Sequence, residues 1–189
     1  APTHHGGRGV RAAYPCMANL REEELMAEAL GCTVVGRAGS GRFGSVFFAT
    51  KADGSWRREV VIKLAPHPSP TLTVEAAVLR SLSGQPGFPT LLSHGEVVGG
   101  LRHPWASTSG FDALIMERLG PTLVDEWART TQRTHFDGQT LLRYGRGLIE
   151  CLRTLHAFGF VHNDIKPNNI VLSTAGSGCA QEVYLIDFG

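Results

Sequence analysis

Three short apolar runs, Thr33–Arg37, Val46–Thr50 and Glu59–Leu64, are separated by Gly-rich or polar stretches. That spacing predicts three strands joined by turns, with Asp53-Gly54 as the hairpin between the second and third. Pro66, Pro68 and Pro70 then interrupt the chain. The pattern behind them predicts a helix over Leu72–Leu82, with Thr71 as N-cap and Gly84 just past its end. Leu91–Val98 and Ala113–Glu117 read as two further strands, and the Gly/Ser-rich stretch Gly99–Asp112 between them as a mobile loop. Beyond Pro121 the period changes to that of a helix. Thr122-Leu-Val-Asp125 fits a helix-start capping pattern. Leu141, Tyr144, Leu148, Leu152 and Leu155 then recur at spacings of three and four, a stripe expected to face a core, and Gly159 closes the helix. Ile170–Leu172 and Val183–Ile186 predict a small closing hairpin. Ahead of all this, Leu20–Leu30 suits a short amphipathic helix, and residues 1–19 have no periodicity and read as a tail. Five strands with one inserted helix, then helices, then a hairpin make an α+β plan in two lobes.

Composition changes this picture little. With 189 residues there is enough chain for one cored domain or two small lobes, and a net charge of +1 points to neither a nucleic-acid nor a membrane-surface partner. No run of 18 apolar residues is present to form a membrane-spanning helix. Cys16, Cys32, Cys151 and Cys179 are scattered without a CxxC pair, which favours free thiols and an intracellular setting, cytoplasmic and/or nuclear. No Cys/His spacing argues for a structural metal. The chain opens at Ala1 and closes directly behind an apolar strand, which reads as part of a longer protein. On that reading the apolar excess of the helix over Gln139–Phe158 would serve further helices beyond it.

Four motifs carry chemistry. In Gly39-Ser40-Gly41-Arg42-Phe43-Gly44-Ser45-Val46, the glycines let a hairpin approach a triphosphate with backbone N–H groups facing its oxygens. The same string also suits a plain flexible hairpin. A dinucleotide fingerprint would need a helix behind the glycines, where Val46–Thr50 reads as a strand. Lys63 closes the run Val60-Val61-Ile62, where a lysine by default points to solvent. A lysine that holds phosphate needs an anionic partner, and Glu75 is the sole acidic residue between Lys63 and Glu96. In His162-Asn163-Asp164-Ile165-Lys166-Pro167-Asn168-Asn169, Asp164 supplies a carboxylate for an attacking hydroxyl, Lys166 a cation and Asn169 an oxygen ligand. A polar turn around Pro167 would explain the asparagines but not the Asp-x-Lys spacing. Asp187-Phe188-Gly189 follows the apolar strand Val183–Ile186 and places a carboxylate where Mg²⁺ could bind.

In this order the four motifs resemble the protein-kinase signature. Within that superfamily, several stretches between Val34 and Gly189 are similar to the casein kinase 1 group. They are Glu75-Ala-Ala-Val-Leu-Arg-Ser-Leu82 with Gly84-Gln-Pro-Gly-Phe-Pro89, Ile115-Met-Glu-Arg-Leu-Gly-Pro-Thr-Leu123, and Glu182-Val-Tyr-Leu-Ile-Asp-Phe-Gly189. The resemblance implies a β-rich N-lobe over 33–118, part of a helical C-lobe over 119–189, and a tail with a short helix over 1–32. It implies ATP and Mg²⁺ as cofactors and a serine/threonine protein substrate, with Lys166 as the mark of Ser/Thr rather than tyrosine specificity. Gly39, Ser40, Gly41, Arg42, Phe43 and Gly44 would cover the phosphates. Val46, Val61 and Val171 would sandwich the adenine, Met116 would guard the pocket behind it, and the backbone at Glu117 and Leu119 would hydrogen-bond it. Lys63 held by Glu75 would place the phosphates, Asp164 would take the hydroxyl proton, and Asn169 and Asp187 would hold Mg²⁺.

Two positions depart from the group. Val61 replaces the usual alanine over the adenine, and Asn163 replaces the arginine that in many kinases pairs with an activation-segment phosphate. Two rivals keep part of the pattern. A choline- or aminoglycoside-type small-molecule kinase also carries His-x-Asp and a later Asn, but generally lacks the Lys166-Pro167 pair. A pseudokinase scaffold would need an emptied catalytic position, and each one in view is filled. Outside the motifs, His162 reads as a prop for its loop and His156 as a capping or core residue. Trp56, Trp105 and Trp127 read as packing residues.

Overall fold

The computed structural model describes residues 22–24, 26–27, 29–41, 44–51, 56, 58–97, 110–130, 135–174 and 182–189. The expected tail, the Asp53-Gly54 turn, most of the Gly99–Asp112 loop, Arg42, Phe43, Cys16, Cys179 and Trp105 lie outside them. Five antiparallel strands form one sheet: β1 (Thr33–Gly41), β2 (Gly44–Thr50), β3 (Val60–Pro66), β4 (Leu91–Val97) and β5 (Phe111–Glu117), in the order β1-β2-β3-β5-β4. Helix α1 (Pro70–Ser81) is inserted between β3 and β4. Helices α2 (Leu123–Thr130) and α3 (Gly138–Ala157) follow, then a 3₁₀ turn (Pro167–Asn169) and the hairpin β6 (Ile170–Leu172) and β7 (Val183–Leu185). This is the α+β plan anticipated from the sequence.

Period-two alternation sorts the sheet into two faces. Phe47, Ala49, Val60, Ile62, Leu64, Ala113 and Ile115 point to the outer face, where they form a core with Met26 and Cys32. Residues 22–24, 26–27 and 29–30 are helical, and they bring the fully buried Met26 and the half-buried Leu30 onto that face. On the inner face, Ala65, Leu114 and Met116 pack on Leu72, Ala76 and Leu79 of α1. The next turn of α1, with Val78 and Leu82, joins a third cluster made by Tyr144, Cys151 and Leu155 of α3 and by Ile170, Leu172, Val183 and Leu185 of the hairpin. The helix that carries Glu75 is thereby wedged between the sheet and the helical part.

Several boundaries differ from expectation for definite reasons. β1 continues to Gly41 because the glycine stretch stays in the ladder, pairing Gly39 with Val46, Ser40 with Ser45 and Gly41 with Gly44. Gly44 sits at φ +132°, and a Cβ there would run into the Leu64 carbonyl oxygen, so only glycine lets β2 begin this close to β3. β5 starts at Phe111, so Phe111 and Asp112 belong to a strand and not to the loop. Helix α1 starts at Pro70, and its N-cap is Ser69, whose hydroxyl accepts from Leu72 N, not Thr71. Proline at the first helical position loses no hydrogen bond, so the run of prolines ends at a helix start instead of delaying it. The capping pair before α2 is present: Thr122 Oγ1 accepts from Asp125 N at 3.1 Å, and Thr122 N donates to the Asp125 carboxylate at 3.3 Å.

The stripe on α3 is only partly covered. Tyr144 and Leu155 are buried and Leu148 and Leu152 half-buried, but Leu141 is 61% exposed. The helix carries a second apolar face, with Leu142 70% and Ile149 65% exposed, and Leu141 falls on the uncovered side. Cys151, absent from the stripe, is buried with its Sγ against the Val183 carbonyl. Cys32 and Cys151 are both free thiols. Trp56 packs against the outer core, whereas His156 is exposed and so is no core residue.

Met26, with half-buried Leu30, ties the helical residues before β1 to the domain core. Met26→Ala is expected to lower the unfolding free energy by about 2–5 kcal/mol, as for other fully buried large-to-small changes. Urea denaturation of the full chain measures it, and a loss under about 0.5 kcal/mol would remove this segment from the core.

Candidate active site

The inner face of β2 and β3 opens, next to α1, onto a cavity of about 240 Å³. Val46 and Phe48 of β2, Val61 and Lys63 of β3, and Met116 and Glu117 at the end of β5 form its roof and rear. Leu119, Gly120 and Thr122 form one side, and Asn169, Val171, Ile186 and Asp187 the floor. The apolar sandwich positions Val46, Val61 and Val171 therefore meet across one slot, as expected, and buried Met116 stands at its back. Glu117 N donates to the Thr90 carbonyl at 3.0 Å, so at that residue only the carbonyl could serve a ligand in the cavity. Gly120 N donates to Leu172 O and Leu172 N to Pro121 O, which staples this side to β6. A Cβ on Gly120 would lie 2.7 Å from the Leu172 oxygen, so glycine is required for that approach. Ala38, Phe48, Thr122 and Ile186 also line the slot and were not among the expected residues. Phe48 had a signal, since it lies two residues beyond Val46 on the same face of a strand.

Lys63 points inward. Its Nζ donates to both oxygens of Glu75, at 2.7 and 2.9 Å, and to Asp187 Oδ1 at 3.0 Å. Glu75 is 1% exposed, held on the buried side of α1 behind the lysine. Burial pulls the Lys63 pKa down, but Glu75 first and Asp187 second more than reverse it, and it ends above the usual lysine value. The strand β3, the helix α1 and the segment behind β7 thus meet at one ammonium.

The loop after α3 brings a second set together. Buried His162 donates from Nε2 to the Ile186 carbonyl at 2.9 Å, and its Nδ1 accepts from Asp164 N at 3.3 Å. Those two bonds assign the Nε2–H tautomer and fit the expected role of His162 as a prop. Lys166 Nζ donates to Asp164 Oδ2 at 2.6 Å, and Asn169 Nδ2 reaches the Asp164 carbonyl and carboxylate at 3.0 and 3.1 Å. The Lys166 hydrogen bond holds the Asp164 carboxyl below the usual carboxylate range, and Asp164 in turn raises Lys166. Both side chains are about half exposed, and Asn169 links them to the cavity floor. The Phe188 ring lies 5.1 Å from His162 and 6.0 Å from Phe88, linking this loop to the segment below α1. Asn163 and Asp187 are the two non-glycine residues with positive φ among those described, at 62° and 73°. Asn and Asp tolerate this left-handed geometry better than other side chains.

Asn169 and Asp187 both line the cavity floor. With its amide nitrogen committed to Asp164, Asn169 keeps its side-chain oxygen for a ligand. An asparagine oxygen and one carboxylate fit a Mg²⁺ ion that takes its other ligands from water and phosphate. No cluster of three or more His, Cys, Asp or Glu side chains suited to a metal occurs among the described residues. Of the glycine stretch, Gly39, Ser40, Gly41 and Gly44 form the paired end of the β1–β2 hairpin next to Val46, while Arg42 and Phe43 lie outside the described residues.

A paired Lys–Glu on a strand and helix, an Asp-x-Lys loop and a carboxylate behind a short hairpin are arranged here around one slot under a glycine hairpin. The family model of the protein kinase domain matches residues 32–189, and the chain belongs to that family.

The Lys63–Glu75–Asp187 cluster gives a direct test. Glu75→Gln removes the larger of two anionic partners but leaves Asp187, so the loss of stability is expected to be about 1.5–3 kcal/mol. That is less than the roughly 3–5 kcal/mol of a buried charge left with no partner. Because the folded Lys63 pKa is raised, this contribution is complete below about pH 10.4 and is lost as pH rises through the folded value. Urea titrations of wild type and variant at neutral and alkaline pH should therefore converge as the pH rises. Equal stability of the two at neutral pH would contradict the pairing.

Proposed function

We propose that this kinase domain transfers the γ-phosphoryl group of ATP to serine or threonine hydroxyls of proteins, in the manner of the casein kinase 1 group. The observation that carries the proposal is Lys63, bound at once by Glu75 and Asp187, which joins three separate motifs at the rear of an apolar slot. In this reading the adenine lies between Val46, Val61 and Val171, with Met116 behind it and Glu117 and Leu119 along its edge. Lys63 takes the α/β-phosphate oxygens, and the Gly39–Gly44 hairpin covers them. Asn169 and Asp187 would hold Mg²⁺, which supplies charge neutralisation on the phosphate oxygens. Asp164 orients the attacking hydroxyl and accepts its proton as the new P–O bond forms and the bond to the β-phosphate oxygen breaks, releasing ADP. Lys166 leaves Asp164 for the transferring group and neutralises the charge there. The Lys166-Pro167 pair supports a Ser/Thr acceptor, and it disfavours a small-molecule acceptor. The Lys166 hydrogen bond keeps Asp164 ionised but lowers its basicity, so in this reading the move of Lys166 to the transferring group is what frees Asp164 to accept the proton.

In the full-length enzyme, Asp164→Asn should reduce turnover by on the order of 10²–10⁴ with ATP affinity within about twofold. Steady-state assays on a casein-type acidic substrate, with nucleotide binding measured separately, test this. Near-normal phosphorylation by the variant would refute the role of Asp164. No turnover by the wild-type protein, with intact nucleotide binding, would favour the scaffold alternative.

A second expectation concerns Asn163. A phosphate on an activation segment acts through arginine pairs worth about 1.5–3 kcal/mol each, and asparagine cannot supply the cationic fork. Asn163 is exposed and left-handed, which gives it a backbone reason of its own but no cation. The full-length enzyme should therefore keep its activity after phosphatase treatment. Loss of nearly all activity, restored by phosphorylation within the segment, would overturn this.

A further inference from the structure

The glycine hairpin has a fastening on the face of the sheet opposite the slot. Ser45 follows the last glycine of the motif and precedes Val46, which lines the slot. Alternation turns Ser45 to the outer face, where it is 5% exposed. Its hydroxyl accepts from Arg37 Nη2 at 2.8 Å and donates to Glu22 Oε1 at 3.1 Å. Glu22 Oε2 stands 3.6 Å from the same Arg37 nitrogen, and the Arg37 guanidinium lies over the Phe47 ring at 5.3 Å. Glu22 is helical and precedes the family domain, which begins at residue 32. The segment that carries it is anchored by Met26, fully buried against the same face, and Cys32 Sγ donates to the Met26 carbonyl.

The loop end of the β1–β2 ladder is therefore gripped on two sides. On one, Gly44 packs without a side chain against the Leu64 carbonyl of β3. On the other, Glu22 and Arg37 close a three-membered network on Ser45. Its glycines leave this end of the ladder little side-chain packing of its own, so these contacts are what hold it to the sheet. We propose that Glu22 is a positioning residue for the glycine hairpin: through Ser45 and Arg37 it holds the hairpin over the phosphate site, and residues 22–30 thereby set nucleotide affinity from outside the family domain. The affinity part rests on the nucleotide-binding reading given above; the coupling between Glu22 and the hairpin does not.

The test compares full-length wild type with Glu22→Ala, Glu22→Gln, Ser45→Ala and the double variant Glu22→Ala/Ser45→Ala. Amide hydrogen exchange without nucleotide reports the coupling, and Mg-ATP titration reports its consequence. Glu22→Ala should speed exchange in β1 and β2 by about 5- to 10-fold, the worth of one buried hydrogen bond, while β4, β5 and α3 stay at the wild-type rate. Mg-ATP affinity should fall about 3- to 10-fold. Glu22→Gln keeps an acceptor for the Ser45 hydroxyl and should recover most of both effects. Ser45→Ala should make Glu22→Ala nearly silent, because the two act through one network. Uniformly faster exchange across the whole sheet would show a merely structural role and overturn the proposal, as would unchanged exchange in β1 and β2. Absence of Mg-ATP binding by wild type would instead defeat the nucleotide reading, and the exchange comparison would still decide the coupling.

Discussion

A buried ammonium that has two carboxylates around it organises this molecule. Taking the Lys63 ammonium out of water costs several kcal/mol. Buried Glu75 about 3 Å away returns on the order of 5 kcal/mol at an effective dielectric near 20, and the half-exposed Asp187 returns a smaller, solvent-screened part. One partner is then close to break-even, and the second decides the sign, in agreement with the raised pKa of Lys63 despite its burial. The partners come from different places: Glu75 from α1 and Asp187 from the segment behind β7. The balance at the Lys63–Glu75 pair therefore depends on Asp187 as well, while apolar packing holds α1 itself.

The segment behind β7 is in turn held by the loop that carries Asp164. His162 binds the Ile186 carbonyl, Ile186 N donates to the Asn169 carbonyl, and Phe188 packs between His162 and Phe88. Two left-handed residues, Asn163 and Asp187, sit inside this web. Such geometry costs on the order of 1 kcal/mol per residue and persists only where neighbouring contacts over-determine it. The hydrogen bonds of His162 and Asn169 supply that over-determination on one side, and the Lys63 pair on the other. Asp164 and Lys63 are thus positioned by one continuous set of bonds, not by two independent loops.

The order of the motifs and the alternating strands were legible in the sequence because both depend on local pattern. Glu75 could be named as the Lys63 partner by elimination, since no other acid stood between Lys63 and Glu96. What the pattern hid was of three kinds. Ser69 was missed as the α1 cap because a run of prolines reads as an interruption, whereas the last of them occupies a position where proline suits a helix start. β1 was drawn too short because glycines weaken a strand signal while their backbone pairs as well as any other. On α3 the 3.6-residue period located apolar faces but could not say which one is covered, so Leu141 was expected in the core and lies outside it. The Glu22–Ser45 contact bridges 23 residues and has no local signature at all.

That last contact changes how the sheet should be viewed. Its inner face meets α1 and the slot, and its outer face meets the helical residues that carry Met26 and Glu22. β2 belongs to both, since Val46 lines the slot and Ser45, its neighbour in sequence, is bound from outside. A strand is stiff along its length but twists and tilts as a unit, so a pull on Ser45 is felt at Val46 and at the glycines before it. Lys63 lies opposite Val46 in the β2–β3 register. The outer network around Ser45 and the inner cluster around Lys63 therefore act on adjacent points of one pair of strands. Segments on either face of the sheet, one carrying Glu22 and the other Glu75, thus bear on the same pair of strands.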